Sequence, residues 1–297
     1  MIPMRRRFSS YSSTSRGILM MLLAILIFTS MDALAKGMVA AYPAPQVVWA
    51  RFTGQLLLVM VILGPRLLQA ARTRYPGTHV WRSVTQLGAT TFFFLSLNHI
   101  GLAEATALTD INPVLITLGA ALFLGERLTQ SRLIGVALAM VGALIVIRPG
   151  SAVFSMAALL PLGAAVCYSV SALLTRHVGA RESHWASMIW AAAFGTIATS
   201  LVLPFVWQPI ANGDLWRFGL IGVLGAGAQL CLIRAFSLAE ASVVAPFTYT
   251  GILFATGWGI GLYDEYPDSW TLIGAVVIVA AGLYVWRSET ARARTLA

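Results

Sequence analysis

Residues 102–128 read LAEATALTDINPVLITLGAALFLGERL. Most of this stretch is apolar enough to lie in hydrocarbon, yet its first half carries Glu104, Asp110 and Asn112, and Pro113 interrupts its backbone. Its opening pentapeptide returns as LAEAS at 238–242, again at the head of a long apolar run. Its end begins a second echo: GERLTQSRLIGVALAMVGALIVIR from Gly125 is matched by DEYPDSWTLIGAVVIVAAGLYVWR from Asp264. That match pairs Glu126 with Glu265, Gly135 with Gly274 and Arg148 with Arg287. A weaker echo at the same offset sets DALAK (32–36) against SALLT (171–175). The chain is written twice, and self-similarity at this scale governs the fold.

Composition fixes the class. With 58% hydrophobic residues, 10% charged residues and a mean hydropathy of +0.80, the chain is expected to be an all-α integral membrane protein. A helix crossing about 30 Å of hydrocarbon needs roughly 20 apolar residues. Ten such segments lie near 17–37, 45–64, 82–100, 102–124, 131–148, 155–175, 184–206, 216–236, 240–262 and 269–286. Barrel strands would alternate polar and apolar residues, and these segments do not. The expected organisation is a basic, Ser-rich tail over 1–16, a first five-helix repeat over 17–150, a second over 151–287 and a tail over 288–297. Five is odd, so the second copy enters the membrane from the opposite side and the repeats are inverted. Inverted repeats meeting at a midplane site are the architecture of alternating-access carriers.

The 20 Lys and Arg against 11 Asp and Glu do not point to nucleic acid, because their positions follow topology. With the N-terminus inside, Arg5, Arg6, Arg7, Arg16, Arg66, Arg72, Arg74, Arg82, Arg127, Arg132, Arg176, Arg181, Arg234, Arg287, Arg292 and Arg294 all fall on one side. Lys36, Arg51, Arg148 and Arg217 alone fall in or near the outer half. This positive-inside bias predicts a multi-pass protein of the inner (plasma) membrane with both termini cytoplasmic. The basic start, apolar run and ALA at 33–35 mimic a cleavable signal, but the first helix has a counterpart in the second half. Cys167 and Cys231 have neither metal nor disulfide spacing and read as small core residues.

The MDALAK of helix one, WARF of helix two, LAEA…P…GE across helices four and five, and AFSLAEASVVAPFTY…DEYPDSWTLIGAVVIVAAGL near the end resemble the EamA branch of the drug/metabolite transporter superfamily. The resemblance covers nearly the whole chain after residue 16. It implies a ten-helix carrier with a central cavity for small metabolites such as amino acids, nucleosides or vitamins, including riboflavin and S-adenosylmethionine. The DALAK and APFTY…DEYPD forms resemble importer-type members more than amino-acid exporters.

An ion at a helix centre costs about 2.5–3.5 kcal/mol on insertion scales, so each one must face protein, water or a partner. Asp32 and Lys36, four apart, share a face of helix one and can pair. Arg51, early in helix two, can share Asp32. The three read as a gate lock or as substrate contacts. Asp110 lies about 12 Å into helix four, near the midplane. Asn112 adds two donors and an acceptor. Pro113 removes a backbone donor, and freed backbone at that depth survives where it lines a cavity or is buried in protein. Asp110 and Asn112 are therefore expected in the cavity wall, with a packing role for Asp110 as the alternative. Pro246, Tyr249 and Thr250 match that depth in helix nine. Gln229, Trp258, Tyr168 and Trp190 could add hydrogen bonds or stacking, though interface aromatics explain the rings equally well. Asn98 and His99 beside Glu104 read as a solvated loop or a proton-sensitive mouth. Glu104, Glu240, Glu126 and Glu265 sit where helix dipoles favour acids. The glycines of GLIGVLGAGA (219–228) lack a phosphate-loop ending and read as close helix packing.

No Walker motif is present, so energy for transport comes from a gradient or a partner. Proton coupling through Asp32 or Asp110 is chemically open. The expectation is a secondary transporter of a small polar or aromatic metabolite, with no catalytic residue, metal or cofactor. A membrane-embedded enzyme is the alternative, against which stands the lack of H-E-x-x-H and G-x-S-x-G. So is an assembly protein docking through the Arg-rich tail. Cargo, direction and oligomeric state are not encoded legibly.

Overall fold

The computed structural model describes residues 13–123, 130–148, 156–178, 183–238 and 245–296, and among them the secondary structure is helical throughout. The helices are α1 (Ser13–Val39), α2 (Ala44–Leu63), a short α3 (Leu67–Ala70), α4 (Pro76–Ser96), α5 (Leu102–Thr109) and α6 (Asn112–Phe123). They continue as α7 (Gln130–Ile147), α8 (Leu159–Val178), α9 (His184–Val206), α10 (Leu215–Leu238), α11 (Thr250–Tyr263) and α12 (Ser269–Leu296). Six helical stretches among the described residues are long and apolar enough to cross a membrane. They carry the first, second, sixth, seventh, eighth and tenth expected segments.

The other four segments depart from uninterrupted apolar spans for local reasons. Segment three is a full helix, α4, diluted by His79, Arg82, Gln86 and Thr90. Segment five is the 18-residue α7. Segment four, expected as one helix, is two. α5 stops at Thr109, with Asp110 closing its last turn by donating its N–H to the Thr106 carbonyl (2.9 Å), and α6 restarts at Asn112. Pro113 thus sits in the first turn of a new helix, where a missing N–H costs little. In segment nine the first described turn, Ala245–Tyr249, is a 3-10 helix leading into α11. At the other end of the chain, α12 runs on to Leu296, through the residues expected as a tail. Glu126, Glu240 and residues 1–12 lie outside the described residues.

Helices of the first half pack mainly on helices of the second: α1 on α10, α2 on α9 and α10, α4 on α8, α5 on α11, and α7 on α12. The α7–α12 pair shows how. A Cβ on Gly135 would strike Val285, one on Gly142 would lie 2.8 Å from Ile278, and one on Gly274 would strike Val146. Residue numbers rise along one helix as they fall along the other, so the pair is antiparallel. The contacts Gly135–Val285 and Val146–Gly274 also exchange into one another under the repeat offset that pairs Gly135 with Gly274. α2 and α10 approach as closely, since a Cβ on Gly54 would come within 2.7 Å of the Gly222 Cα. Small residues permit such contact where lipid supplies no hydrophobic drive between helices.

Candidate substrate cavity and the sealed end

One end of the bundle carries the 40–43, 97–101, 207–214 and 264–268 connections, and polar contacts there join the two halves. At the end of α1, Lys36 Nζ lies 2.8 Å from Glu265 Oε1 and also donates to the carbonyls of Leu97 (3.0 Å) and Ile100 (2.9 Å). Glu265 Oε2 in turn accepts from the Leu102 N–H at the start of α5 (3.1 Å). A left-handed turn at Asp264 (φ 53°), with the Glu265 N–H returning to the Gly259 carbonyl (3.0 Å), aims this acid at the other half; such turns commonly end helices. Tyr42 OH donates to Asp214 (2.8 Å) and accepts from the Ala211 N–H (3.1 Å). Gln46 exchanges two hydrogen bonds with the Gln208 backbone. Tyr263 OH donates to the Ala33 carbonyl. Arg148 meets Asp268 at 2.6 Å.

This geometry revises two expectations. Lys36 reaches Glu265 in the opposite half, not Asp32 one turn earlier. Glu265 serves the dipole of α5, not that of α12, which is capped by Asp268 accepting from the Thr271 N–H (2.7 Å). It also accounts for the exceptions to the charge asymmetry: Lys36, Arg148 and Arg217 are each ion-paired, to Glu265, Asp268 and Asp214. The fourth, Arg51, goes inward.

Arg51 is buried (7% exposed), donates to Thr90 on α4 and feels the carboxylate of Asp32 on α1. It lines a small, partly open cavity with Phe52, Gln55, Arg82, Gln86, Met188, Ala191 and Gln229. The walls are thus α2 and α4 from the first half, α9 and α10 from the second. Arg82 is held by Thr175 Oγ1 (2.8 Å) and the Ser187 carbonyl (2.8 Å). Arg82, Gln86 and Thr90, four residues apart, form a polar stripe on one face of α4. Arg82, Gln55 and Gln86 were missed as site residues. The four-residue polar spacing in α4 was the available signal.

The remaining expected site residues fall elsewhere. Asp110 Oδ2, Asn112 Oδ1 and Tyr249 OH are enclosed without hydrogen-bond partners among the described residues, around the break between α5 and α6. Asp110 acts electrostatically on Tyr249, whose ring rests where a Gly282 side chain would be. The Thr250 hydroxyl donates to the Phe247 carbonyl (2.6 Å) and so serves its own helix start. Trp258 packs against the core containing Phe52 and Phe94, its Nε1 enclosed with no partner among the described residues. Trp190 donates to the Ala71 carbonyl (3.0 Å) and stacks on His79, an interface role. Asn98 and His99 are exposed, and both cysteines are free thiols.

The EamA-like transporter family model matches the chain twice, over residues 15–148 and 155–287. The chain belongs to the EamA-like transporter family. It is similar to the pseudopaline exporter CntI of Pseudomonas aeruginosa, 31% identical over 92% of this chain and 96% of that protein. A riboflavin transporter of Rhizobium johnstonii is 30% identical over 94% and 93%. An S-adenosylmethionine uptake transporter of Rickettsia bellii is 25% identical over 93% and 94%. A crystal structure sharing 19% identity, with a TM-score of 0.64 over 95% of this chain and 99% of that one, has the same fold. This EamA-family chain is a multi-pass membrane transporter, not an enzyme.

Proposed function

We propose that the protein is a secondary carrier of the inner membrane working by alternating access, with two inverted five-helix repeats and both termini in the cytoplasm. The observation that carries this reading is the contrast along the bundle axis: cross-half polar contacts close one end, and a polar cavity lies beneath it between the halves. In the topology that the charge asymmetry favours, the closed end is external and the cavity faces inward. The antiparallel α7–α12 crossing, with its offset-related contacts, supports the inversion. Exchange of the two halves' conformations would open the sealed end and close the other.

Cysteines replacing Tyr42 and Asp214, bridged by a thiol-reactive crosslinker, test this directly in proteoliposomes. Transport should stop on bridging and return on reductive release. Undiminished transport with that end locked would rule out alternating access.

For energy, proton coupling rests on Asp32 and Asp110, the two acids placed deep in the bundle. Asp110→Asn is expected to flatten the pH dependence of transport. A variant keeping the full native dependence excludes Asp110 as the sole proton carrier. The names of the relatives include both exporters and uptake systems, so direction is to be read from which side loses substrate.

A further inference from the structure

We propose that the cavity recognises an anionic group, carboxylate or phosphate, on the transported molecule, with Arg51 as the deep anchor and Arg82 as the outlying contact. This rests on the carrier reading and adds the substrate class to it.

The lining carries two guanidinium groups, three glutamines and no carboxylate. Asp32 acts on Arg51 from α1 without lining the cavity. The groups holding Arg82 are neutral, a hydroxyl and a carbonyl, and the titratable side chain acting on it is the phenol of Tyr168. Positive charge therefore exceeds negative charge around this space. A purely structural arginine in hydrocarbon should have its donors satisfied. Arg51 does not: its Nε is enclosed and has no acceptor among the described residues. A guanidinium with a donor to spare suits an oxygen of a carboxylate or phosphate, groups that the planar fork can bind through two oxygens.

The spacing suits a small molecule held at more than one point. Arg51 grips Thr90, which lies about 12 Å of helical rise along α4 from Arg82. Gln55, Gln86 and Gln229 supply donors and acceptors without net charge. Phe52, Met188 and Ala191 offer an apolar wall for the rest of the substrate. A cation lacking an acid group would meet two guanidiniums and no lining carboxylate.

The test uses the full-length protein in proteoliposomes and, as probe, a bacterial metabolite extract divided by anion exchange into an anionic fraction and a neutral-plus-cationic fraction. Mass spectrometry identifies what enters, which separates a carboxylate from a phosphate. Uptake should come from the anionic fraction. It should fall about 10-fold or more in Arg51→Gln and several-fold in Arg82→Gln, the scale of a lost charge-assisted hydrogen bond. Arg51→Lys should retain a measurable part. Thermal unfolding of each variant reports folding, and if Arg51→Gln is unfolded, Arg82→Gln and Arg51→Lys decide. Uptake of a neutral or cationic compound at native rates in the folded variants would overturn the anion proposal and leave the carrier standing. Anion uptake untouched by Arg82→Gln and Arg51→Lys would overturn it equally. If neither fraction yields uptake above empty liposomes, the carrier reading falls and this inference with it.

Discussion

At the sealed end the polar side chains joining the halves find their partners in the protein; in the cavity some do not. Lys36 has a carboxylate and two carbonyls, and Gln46 has both its donor and its acceptor matched by Gln208. Arg51 has an enclosed donor, Nε, with no acceptor among the described residues. Both regions join the same two halves, so in the proposed carrier cycle the satisfied groups would hold a closed state together and the unsatisfied ones would take a ligand. Burying an unmatched polar group costs about 1–3 kcal/mol, an arrangement expected at a binding site and wasteful in a structural contact.

The largest effect should come from the wall that both regions share. Gly54→Val would drive two methyl groups into the Gly222 backbone, where no flexible side chain can yield. The expected loss is about 3 kcal/mol, seen as a collapse of thermal stability; a native melting temperature would mean that α2 and α10 lie farther apart than described.

Glu265→Gln sharpens the comparison by weakening the sealed end alone. Lys36 would keep its carbonyls but lose its counter-ion in a mostly buried setting, a change of about 1–2 kcal/mol. That is about a 10-fold shift between closed and open populations. Faster hydrogen exchange over residues 97–101 is the expected signature, and unchanged exchange would mean that Glu265 does not hold the end shut.

The smallest effect belongs to the Arg148–Asp268 pair at the rim, whose acid is exposed. Against the upward push of burial, the largest single influence, hydrogen bonds from Thr271 and the Arg148 guanidinium together hold the Asp268 carboxyl below its ordinary range. Its depressed value means that the stability it contributes is present at neutral pH and is lost as pH falls through that lowered value. Asp268→Asn should cost less than about 1 kcal/mol and remove this acid-sensitive component from a stability–pH profile. An unchanged profile would assign the acid sensitivity to other carboxylates.

How far the molecule was legible in its sequence depended on the range of each interaction. Local periodicity and self-similarity marked the ten segments and the repeated halves, because both are properties of neighbouring residues. The interruption by Pro113 was legible for the same reason, although it ends one helix and starts another where a flaw in a continuous span was expected. The influence of Asp32 on Arg51 crosses between adjacent helices and could be anticipated. Lys36 could not be placed by spacing, since its partner is more than 200 residues away and the turn at Asp264 that delivers it is a tertiary feature. Arg82 was hidden differently: in one dimension it looks like another topology-setting arginine, and only the packing of α4 against α8 and α9 turns it toward the cavity.

The α7–α12 crossing has a consequence for watching the protein move. Under the proposed exchange of halves, the fifth and tenth spans map onto each other, so their separation is the same in both states. The first span against the eighth and the third against the sixth map onto one another instead. Spin labels bridging α7 and α12 would therefore read a constant distance, a built-in ruler. Labels bridging α1 to α10 and α4 to α8 should trade values as the carrier turns over.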